Sequence, residues 1–567
     1  MEYLKKYNSW LENDYFDEET QKELESIRHN EKEIEERFYK DLEFGTGGLR
    51  GIIGAGSNRM NIYTVRKATQ GLANYILREG KEALEKGVAI AYDSRYMSPE
   101  FADEAALVLN ANSIKAYVFE SLRPTPELSF AVRELSAIAG IVLTASHNPA
   151  EYNGYKVYWE DGAQITSPKD VEIINEVSKV VDYNQVKSMD KKEAIEKGLY
   201  NVIGKEIDDK YINELKKQII NKEVIKKQAK EFTIVYTPLH GTGNIPVRRI
   251  LDEIGFENVY VVDKQEKPDS KFSTVDYPNP EDIKAFKLAI ELGKEKKADV
   301  ILATDPDADR LGVLVKDKEN EYIPLTGNMI GVLLLDYILT QKKANNELPA
   351  NGSVIDTIVS TNMVKTIAEY YNVKLFEVLT GFKYIGEKIK EFESDNSYEY
   401  LFGFEESYGC LIGTHARDKD AVVATMMVCE LGAYYKSKDM TLYDALIMAY
   451  EKYGYYKESL ESITLKGIEG VNKIKHILST LRTNSPKEVD GIQVVEAIDY
   501  LEDTNLPKSN VLYYTLEDES WFCVRPSGTE PKVKFYFGVK DNSLNKAEIH
   551  LQHFSKSVMN MIEQIIK

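Results

Sequence analysis

Three times along the chain a short apolar, β-branched run gives way to a polar loop and then to a helix-period segment. The three stretches are "GVAIAYDSRYMSPEFADEAALVLN", "FTIVYTPLHGTGNIPVRRILDEIG" and "GSVIDTIVSTNMVKTIAEYYNV". Each is followed by a second strand ("AYVF", "VYVV", "KLFEV") and then by a third that empties into polar residues: "GIVLTASHNP", "DVILATDPDADR" and "EYLFGFEESYG". Strand–helix alternation of this kind predicts α/β units with largely parallel sheets, and three in tandem predict an ancestral repeat. The direction of "GIVLTASHN" is left open by the pattern. Residues 18–43 are dense in charge with sparse apolar positions and predict one or two solvated amphipathic helices. From about residue 451 helical stretches precede "VLYYTLEDESWFCVRPSGTEPKVKFYFGVK", which alternates as an antiparallel meander does, and the chain closes on a helix. This tail predicts a smaller α+β domain.

Length and composition narrow the reading. A chain of 567 residues exceeds what one core can organise, so three or four domains are expected. With 43% hydrophobic and 29% charged residues it has the balance of a globular protein rather than a disordered one. The longest apolar candidate, "MIGVLLLDYIL", is too short for a membrane helix and carries Asp336. No apolar leader is visible at the start, and the three cysteines lack CxxC spacing. A cytoplasmic protein with no membrane partner is expected. The formal charge of -20 argues against a nucleic-acid partner; for an anionic ligand, local Arg and Lys clusters would have to overcome a repulsive field.

In open α/β sheets ligands bind beyond the carboxyl ends of strands, so the polar loops are where chemistry is sought. In "DVILATDPDADR", Asp305, Asp307 and Asp309 repel one another unless a cation lies among them, and an all-oxygen set favours Mg²⁺. An EF-hand is excluded because its Gly and Glu positions hold Arg310 and Lys316. "FCVRPSGTEPK" offers Arg525, Ser527, Gly528 and Thr529 in one turn, with Lys532 beyond: a guanidinium fork, two hydroxyls and backbone N–H groups suited to phosphate. "GTGNIPVRR" fails the dinucleotide fingerprint at Pro246. "FGTGGLRG", ending at Arg50 and Gly51, lets backbone approach a ligand. "TGFKY" (Thr380–Tyr384) and "GFEESYG" (Gly403–Gly409) are expected substrate loops, in which Glu405 and Ser407 would meet the hydroxyls of a polyol. "HARDKD" adds positive charge, read equally as site or as solvated run. Around Ser146 a GxSxG elbow is absent, Thr144 and Asn148 standing in its glycine places, and His147 is too near in sequence to serve a triad. A serine that carries a phosphoryl group fits better.

"TASHNP", "DPDADR", "GFEESYG" and "RPSGTEP", in this order, with "FGTGGLRG" upstream, resemble the α-D-phosphohexomutases from about residue 40 onward, and specifically the branch of bacterial phosphoglucomutases and animal phosphoglucomutase-2-like proteins. The resemblance implies an α/β fold of four domains around a central cleft: three similar mixed α/β sheet domains plus a smaller α+β C-terminal domain. Their expected spans are 1–205 (N-terminal extension and phosphoserine), 206–324 (metal), 325–450 (sugar) and 451–567 (phosphate). It implies Ser146 as the phosphoserine, with Arg50, His147 and Lys156 assisting, and a metal set of Asp305, Asp307, Asp309 and a Ser146 oxygen. Arg310, Thr380, Gly381, Lys383, Glu405 and Ser407 would meet the substrate, and Arg525, Ser527, Gly528 and Thr529 its non-reacting phosphate. The implied reaction interconverts glucose 1-phosphate and glucose 6-phosphate, with Mg²⁺ as cofactor and glucose 1,6-bisphosphate as activator and intermediate. Glu-Glu-Ser in "GFEESYG" resembles the glucose version, where bifunctional phosphomannomutases usually show Glu-Met-Ser. A pentose or mannose substrate, or a Mg²⁺-dependent sugar phosphatase, is the alternative.

Overall fold

The computed structural model describes residues 2–45, 47–465, 467–527 and 532–567. They form two compact bodies, one of Met1–Thr326 with Phe382–Thr441 and the other of Gly327–Gly381 with Leu442–Lys567.

The first body opens on three short helices, Glu2–Glu12, Glu18–Ser26 and Glu31–Phe38. Asp17 and Asn30 cap the latter two, each side chain accepting from a first-turn backbone N–H. The one or two amphipathic helices expected over residues 18–43 are present, but not as solvated elements. Instead Leu24, Ile34 and Phe38 are buried in an aromatic cluster with Tyr7, Trp10, Phe16 and Tyr63. Trp10 stacks on Phe16 at 4.0 Å, and the sparse apolar positions of the two following helices pack into the same cluster.

Its first sheet contains β1 (Gly48–Ile52), β2 (Val88–Tyr92), β3 (Ala116–Phe119), β4 (Ala139–Leu143), β5 (Tyr152–Trp159) and β6 (Tyr200–Ile203), in the order β1-β5-β4-β2-β3-β6. β4 runs parallel to β2, which answers the question the sequence left open, and antiparallel to β5. The second sheet contains β7 (Thr233–Thr237), β8 (Asn258–Val261), β9 (Val300–Thr304), β10 (Leu311–Lys316) and β11 (Tyr322–Leu325), in the order β11-β10-β9-β7-β8. The run β5-β4-β2-β3 thus recurs as β10-β9-β7-β8 with the same directions. Two pairings of the same kinds recur, one in each body. β12 (Gly352–Thr357) and β13 (Lys374–Val378) pair in parallel in the second body, and β14 (Glu399–Glu405) pairs antiparallel with β15 (Gly409–Ile412) in the first. The sheets are mixed rather than parallel throughout, since each third strand turns back on itself through its polar loop.

β4 and β9 are buried along their whole length, as strands covered on both faces should be. Their side chains join separate cores, around Leu72, Ile90 and Ile141 in the first case and around Val235, Ile301 and Leu314 in the second.

The second body ends in a six-stranded antiparallel sheet of β16 (Tyr455–Thr464), β17 (Glu488–Val489), β18 (Ile492–Asp499), β19 (Leu512–Leu516), β20 (Trp521–Pro526) and β21 (Lys532–Asp541). The expected meander is β19 to β21, and β17 and β18 precede it where helical stretches were expected. β16 is a correction: a ten-residue strand stands where a helical stretch was expected, paired along its length with β21. The helices Gly467–Thr483 and Leu544–Ile566 supply Ile477, Leu481, Phe554 and Val558 to the core of this sheet.

Candidate active site

Asp93 and Arg95, just beyond the end of β2, build the loop that follows β4. Asp93 accepts from Thr144 Oγ1 (2.7 Å), Ser98 Oγ (2.9 Å) and the Arg95 backbone N–H (2.9 Å). The fully buried Arg95 guanidinium donates to the carbonyls of Ser146 (2.6 Å), Pro149 (2.7 Å), Tyr152 (3.0 Å) and Asn148. Behind it the Phe272 ring lies 5.0 Å away. Thr144 Oγ1 also accepts from the Ser146 N–H at 2.8 Å. So held, Ser146 adopts φ 51, a left-handed conformation that costs a non-glycine residue about 1–2 kcal/mol. The adjoining strand β5 must pass very close: a Cβ on Gly154 would stand 2.4 Å from the Thr144 carbonyl oxygen.

Ser146 Oγ donates to Asp305 Oδ2 at 2.7 Å, and His147 Nδ1 lies 3.2 Å from the same Oγ. Burial, reinforced by Arg310 and Arg50, drives the His147 pKa well below its ordinary value, so the imidazole is neutral at pH 7. Arg50 reaches Asn148 Oδ1 at 3.3 Å.

The aspartate loop between β9 and β10 organises itself. Asp305 Oδ1 accepts from the backbone N–H groups of Asp309 (3.1 Å) and Arg310 (3.0 Å). Asp307 Oδ2 accepts from Thr125 Oγ1 and Lys156 Nζ, both at 2.8 Å. Lys156 stands 3.7 Å and Lys419 3.2 Å from Asp309 Oδ2. One oxygen from each aspartate lies within 4.8 Å of the others. Burial, with the charges of Asp309 and Asp307, pushes the Asp305 pKa far up. Burial would raise Asp307 too, but Lys156 holds it low. Asp307 Oδ1 and Asp309 Oδ1 are buried and, among the described residues, without a hydrogen-bond partner. Three converging carboxylates with spare, desolvated oxygens fit a hard divalent cation.

The third loop contributes through β14 and the segment after β15. Glu405 is buried at the end of β14, and Ser407 stands in the following turn. The Tyr408 carbonyl, on a residue with φ 64, accepts from the Leu311 N–H at 3.0 Å. "HARDKD" is not a solvated run: His415, Arg417, Asp418 and Asp420 are buried. Lys419 pairs with Asp418 at 3.1 Å as well as with Asp309, and Tyr158 donates to Asp418 at 2.6 Å. Burial would lower the Lys419 pKa, but Asp309, Asp418 and Glu405 raise it, so it stays charged. Arg310 is paired with Glu281 and has its Nε 3.9 Å from Asp309.

Ser146, His147, Lys156, Asp305, Asp307, Asp309 and Arg310 therefore converge in the first body, with Arg50 joined through Asn148. Lys383 is a correction to the expected loop. It lies in the first turn of a helix, Phe382–Asp395, where burial lowers its pKa against the charges of Asp170 and Glu387. Thr380 and Gly381 belong to the second body, as does Arg525 in β20. Ser527 follows β20, its N–H donating to the Lys532 carbonyl at 2.7 Å. Gly528 and Thr529 lie outside the described residues. Sequence reasoning missed Asp93, Arg95 and Thr125, and left Lys419 undecided. The signal for the first two was "AYDSR", a polar loop at the end of β2 in the same topological place as the others.

Comparison with known proteins places the chain in one family. Residues 41–184, 209–318 and 326–453 match phosphoglucomutase/phosphomannomutase alpha/beta/alpha domains I, II and III, and residues 474–549 match the C-terminal domain of the same family. A phosphoglucomutase of Staphylococcus aureus (strain N315) is 39% identical over 524 residues, covering 90% of this chain and 92% of its own length. Two solved structures share the fold. The Paramecium phosphoglucomutase pp63/parafusin, in its open form, has a TM-score of 0.67 at 19% identity, over 93% of this chain and 95% of its own. An Aspergillus fumigatus N-acetylphosphoglucosamine mutase in complex with GlcNAc-6P and magnesium has a TM-score of 0.50 at 13% identity, over 92% of this chain and 96% of its own.

Proposed function

The chain belongs to the phosphoglucomutase/phosphomannomutase family, and on that premise we propose that it interconverts glucose 1-phosphate and glucose 6-phosphate through a phosphoserine at Ser146. The observation that carries the reading is the 2.7 Å contact between Ser146 Oγ and Asp305: a strained, clamped serine held against a carboxylate trio that demands positive charge. Phosphoryl transfer requires positioning and charge neutralisation above all.

In the forward half-reaction the Oγ–P bond of phospho-Ser146 breaks and a bond forms from phosphorus to the free hydroxyl of the sugar monophosphate. The hydroxyl proton ends on Ser146 Oγ, and the product is glucose 1,6-bisphosphate. The second half-reaction is the reverse, with the bisphosphate turned end for end. Arg95 keeps the serine fixed in both halves, while Lys156, Lys419 and Arg50 supply positive charge and neutral His147 adds none. Asp305, Asp307 and Asp309 would hold Mg²⁺ together with an oxygen of phospho-Ser146, and bound there the ion neutralises charge on the transferring group. We assign Arg310, Thr380, Gly381, Lys383, Glu405 and Ser407 to the sugar, and Arg525, Ser527, Gly528 and Thr529 to the non-reacting phosphate. Glucose 1,6-bisphosphate serves as activator by restoring phospho-Ser146. The domain division 1–205, 206–324, 325–450 and 451–567 is part of the same reading.

Ser146→Ala tests it. Interconversion should fall by about 10⁴-fold or more, with loss of the phosphoserine ³¹P resonance and an unchanged melting curve. A variant that keeps near-normal turnover would falsify the phosphoserine mechanism. Steady phosphate release without isomer formation by the wild type would instead make it a phosphatase. A kcat/KM panel of glucose, mannose, ribose and glucosamine 1-phosphates decides the sugar, and a pentose outpacing glucose would overturn the substrate assignment alone.

A further inference from the structure

Beside the aspartate loop, the first body contains a cavity of about 140 Å³ that the reaction does not use. A cavity of about 150 Å³ admits benzene, so this one holds a molecule of that size. Its walls are mainly apolar, with Leu122, Ile212, Ile245 and Pro246 among them.

Two lining side chains have unmet polar atoms. Glu127 Oε1 and Thr242 Oγ1 are both buried and, among the described residues, without a hydrogen-bond partner, Glu127 Oε1 having only a 4.0 Å ion-pair contact with Arg123 Nε. Leaving such atoms unsatisfied is costly, and a hydroxyl-bearing guest would relieve it. Burial, then the adjoining Asp208, raises the Glu127 pKa well above its ordinary value, against the charge of Arg123. The nearby cations do not call for an anion. Arg123 is bound to Asp208 at 2.8 and 2.9 Å, and Arg249 to Glu253 and Asp209 at 2.7 Å each. The fitting guest is therefore uncharged.

The same walls support the aspartate loop. Glu127 belongs to the helix Thr125–Glu134, whose first residue donates to the Asp307 carbonyl (2.9 Å) and carboxylate (2.8 Å). The Thr242 N–H donates to the Pro306 carbonyl at 2.9 Å. The backbone before it is pressed so closely that a Cβ on Gly241 would stand 2.5 Å from Pro306 Cα. A guest that shifts either wall shifts the residues carrying the carboxylates.

We propose that this cavity is a second ligand site, for a small uncharged molecule of about benzene's size bearing a hydroxyl, and that its occupancy is coupled to cation affinity at Asp305, Asp307 and Asp309. Phenol is the probe, titrated into the full-length protein by calorimetry and ligand-detected NMR, with Mn²⁺ binding measured by calorimetry with and without it. Binding should be saturable, weakened roughly fivefold by Thr242→Val, the loss of one neutral hydrogen bond, and abolished by Ile245→Trp at the exposed rim. Saturating phenol should change Mn²⁺ affinity several-fold, and Mn²⁺ should change phenol affinity by the same factor. Melting curves establish that both variants are folded. Absence of saturable binding up to the solubility of phenol, or equal binding to wild type and both variants, overturns the site. An unmoved Mn²⁺ affinity at phenol saturation overturns the coupling. None of these readouts depends on turnover or on the identity of the sugar.

Discussion

The serine loop after β4 and the aspartate loop after β9 occupy the same place in two copies of one topology, yet they are held together by opposite means. Each leaves a fully buried strand, returns antiparallel, and contains one left-handed non-glycine residue, Ser146 in the first and Ala308 in the second, with φ 51 and 50. The serine loop is clamped by a foreign cation: Arg95 takes four of its carbonyls. The aspartate loop is tied by its own carboxylate, Asp305, and leaves an oxygen each of Asp307 and Asp309 without a hydrogen-bond partner among the described residues. One loop is complete as protein, and the other is complete only with a cation. A repeated scaffold has been divided into a part that fixes a nucleophile and a part that receives charge.

The comparison breaks most visibly at Arg95. Arg95→Met should destabilise the protein by about 3–5 kcal/mol, because it strands the buried Asp93 and frees four carbonyls at once. Chemical denaturation measures it, and a loss below about 1 kcal/mol would mean that the clamp is not what orders the serine loop. The next effect belongs to the other loop. Mg²⁺ at one hundred times its Kd should stabilise the wild type by about 2.7 kcal/mol and leave Asp307→Asn nearly unmoved. Amide exchange should slow on Mg²⁺ addition at residues 305–310 and not at 144–149. Equal slowing in both loops would erase the distinction.

How much of this was legible in the chain follows the same division. The aspartate loop announces itself because its three carboxylates and the strand before them are contiguous, so local pattern contains the site. The serine loop shows its serine but conceals what holds it: Asp93 meets Thr144 across 51 residues, and Thr125 meets Asp307 across 182. No periodicity connects such positions. Lys419 was visible only as charge, and whether a charged run is solvated or buried is decided by packing, here by Tyr158 on Asp418 and Asp309 on Lys419. The strand β16 was missed for a related reason: its pairing with β21 lies far along the chain, while its neighbours in sequence are helices.

A third test uses pH on the serine loop. The His147 pKa lies well below that of the unfolded chain, about 6.5, through burial and then the neighbouring arginines. Above that value both states are neutral and the protein has its full stability. As pH falls below it the unfolded chain takes up a proton that the folded imidazole refuses, and stability is lost until the folded pKa is reached. Between about pH 7.5 and about pH 5 the wild type should therefore lose more stability than His147→Gln. The imidazole NMR resonances should stay those of the neutral ring over that range. A ring that titrates near 6.5 would show that neither burial nor the arginines act on it as the structure implies.

The smallest effect asks whether the left-handed backbone at Ser146 is strain. Alanine and glycine both remove the hydroxyl, and with it the contacts to Asp305 and His147, so turnover should vanish in either variant. They differ in that a Cβ at φ 51 costs energy while glycine adopts this region freely. Glycine also loses more entropy on folding, which opposes the gain. The strain being the larger, Ser146→Gly should be more stable than Ser146→Ala by roughly 1 kcal/mol. Applied to Ala308, the same substitution separates the two loops again. Ala308→Gly relieves a comparable angle in a loop tied by its own carboxylate, so it should stabilise the protein by a similar roughly 1 kcal/mol while leaving turnover intact. If glycine gained nothing at 146 but gained at 308, the Arg95 clamp would be setting the serine backbone without strain, and the geometry at the nucleophile would be a relaxed consequence of the loop's hydrogen bonds.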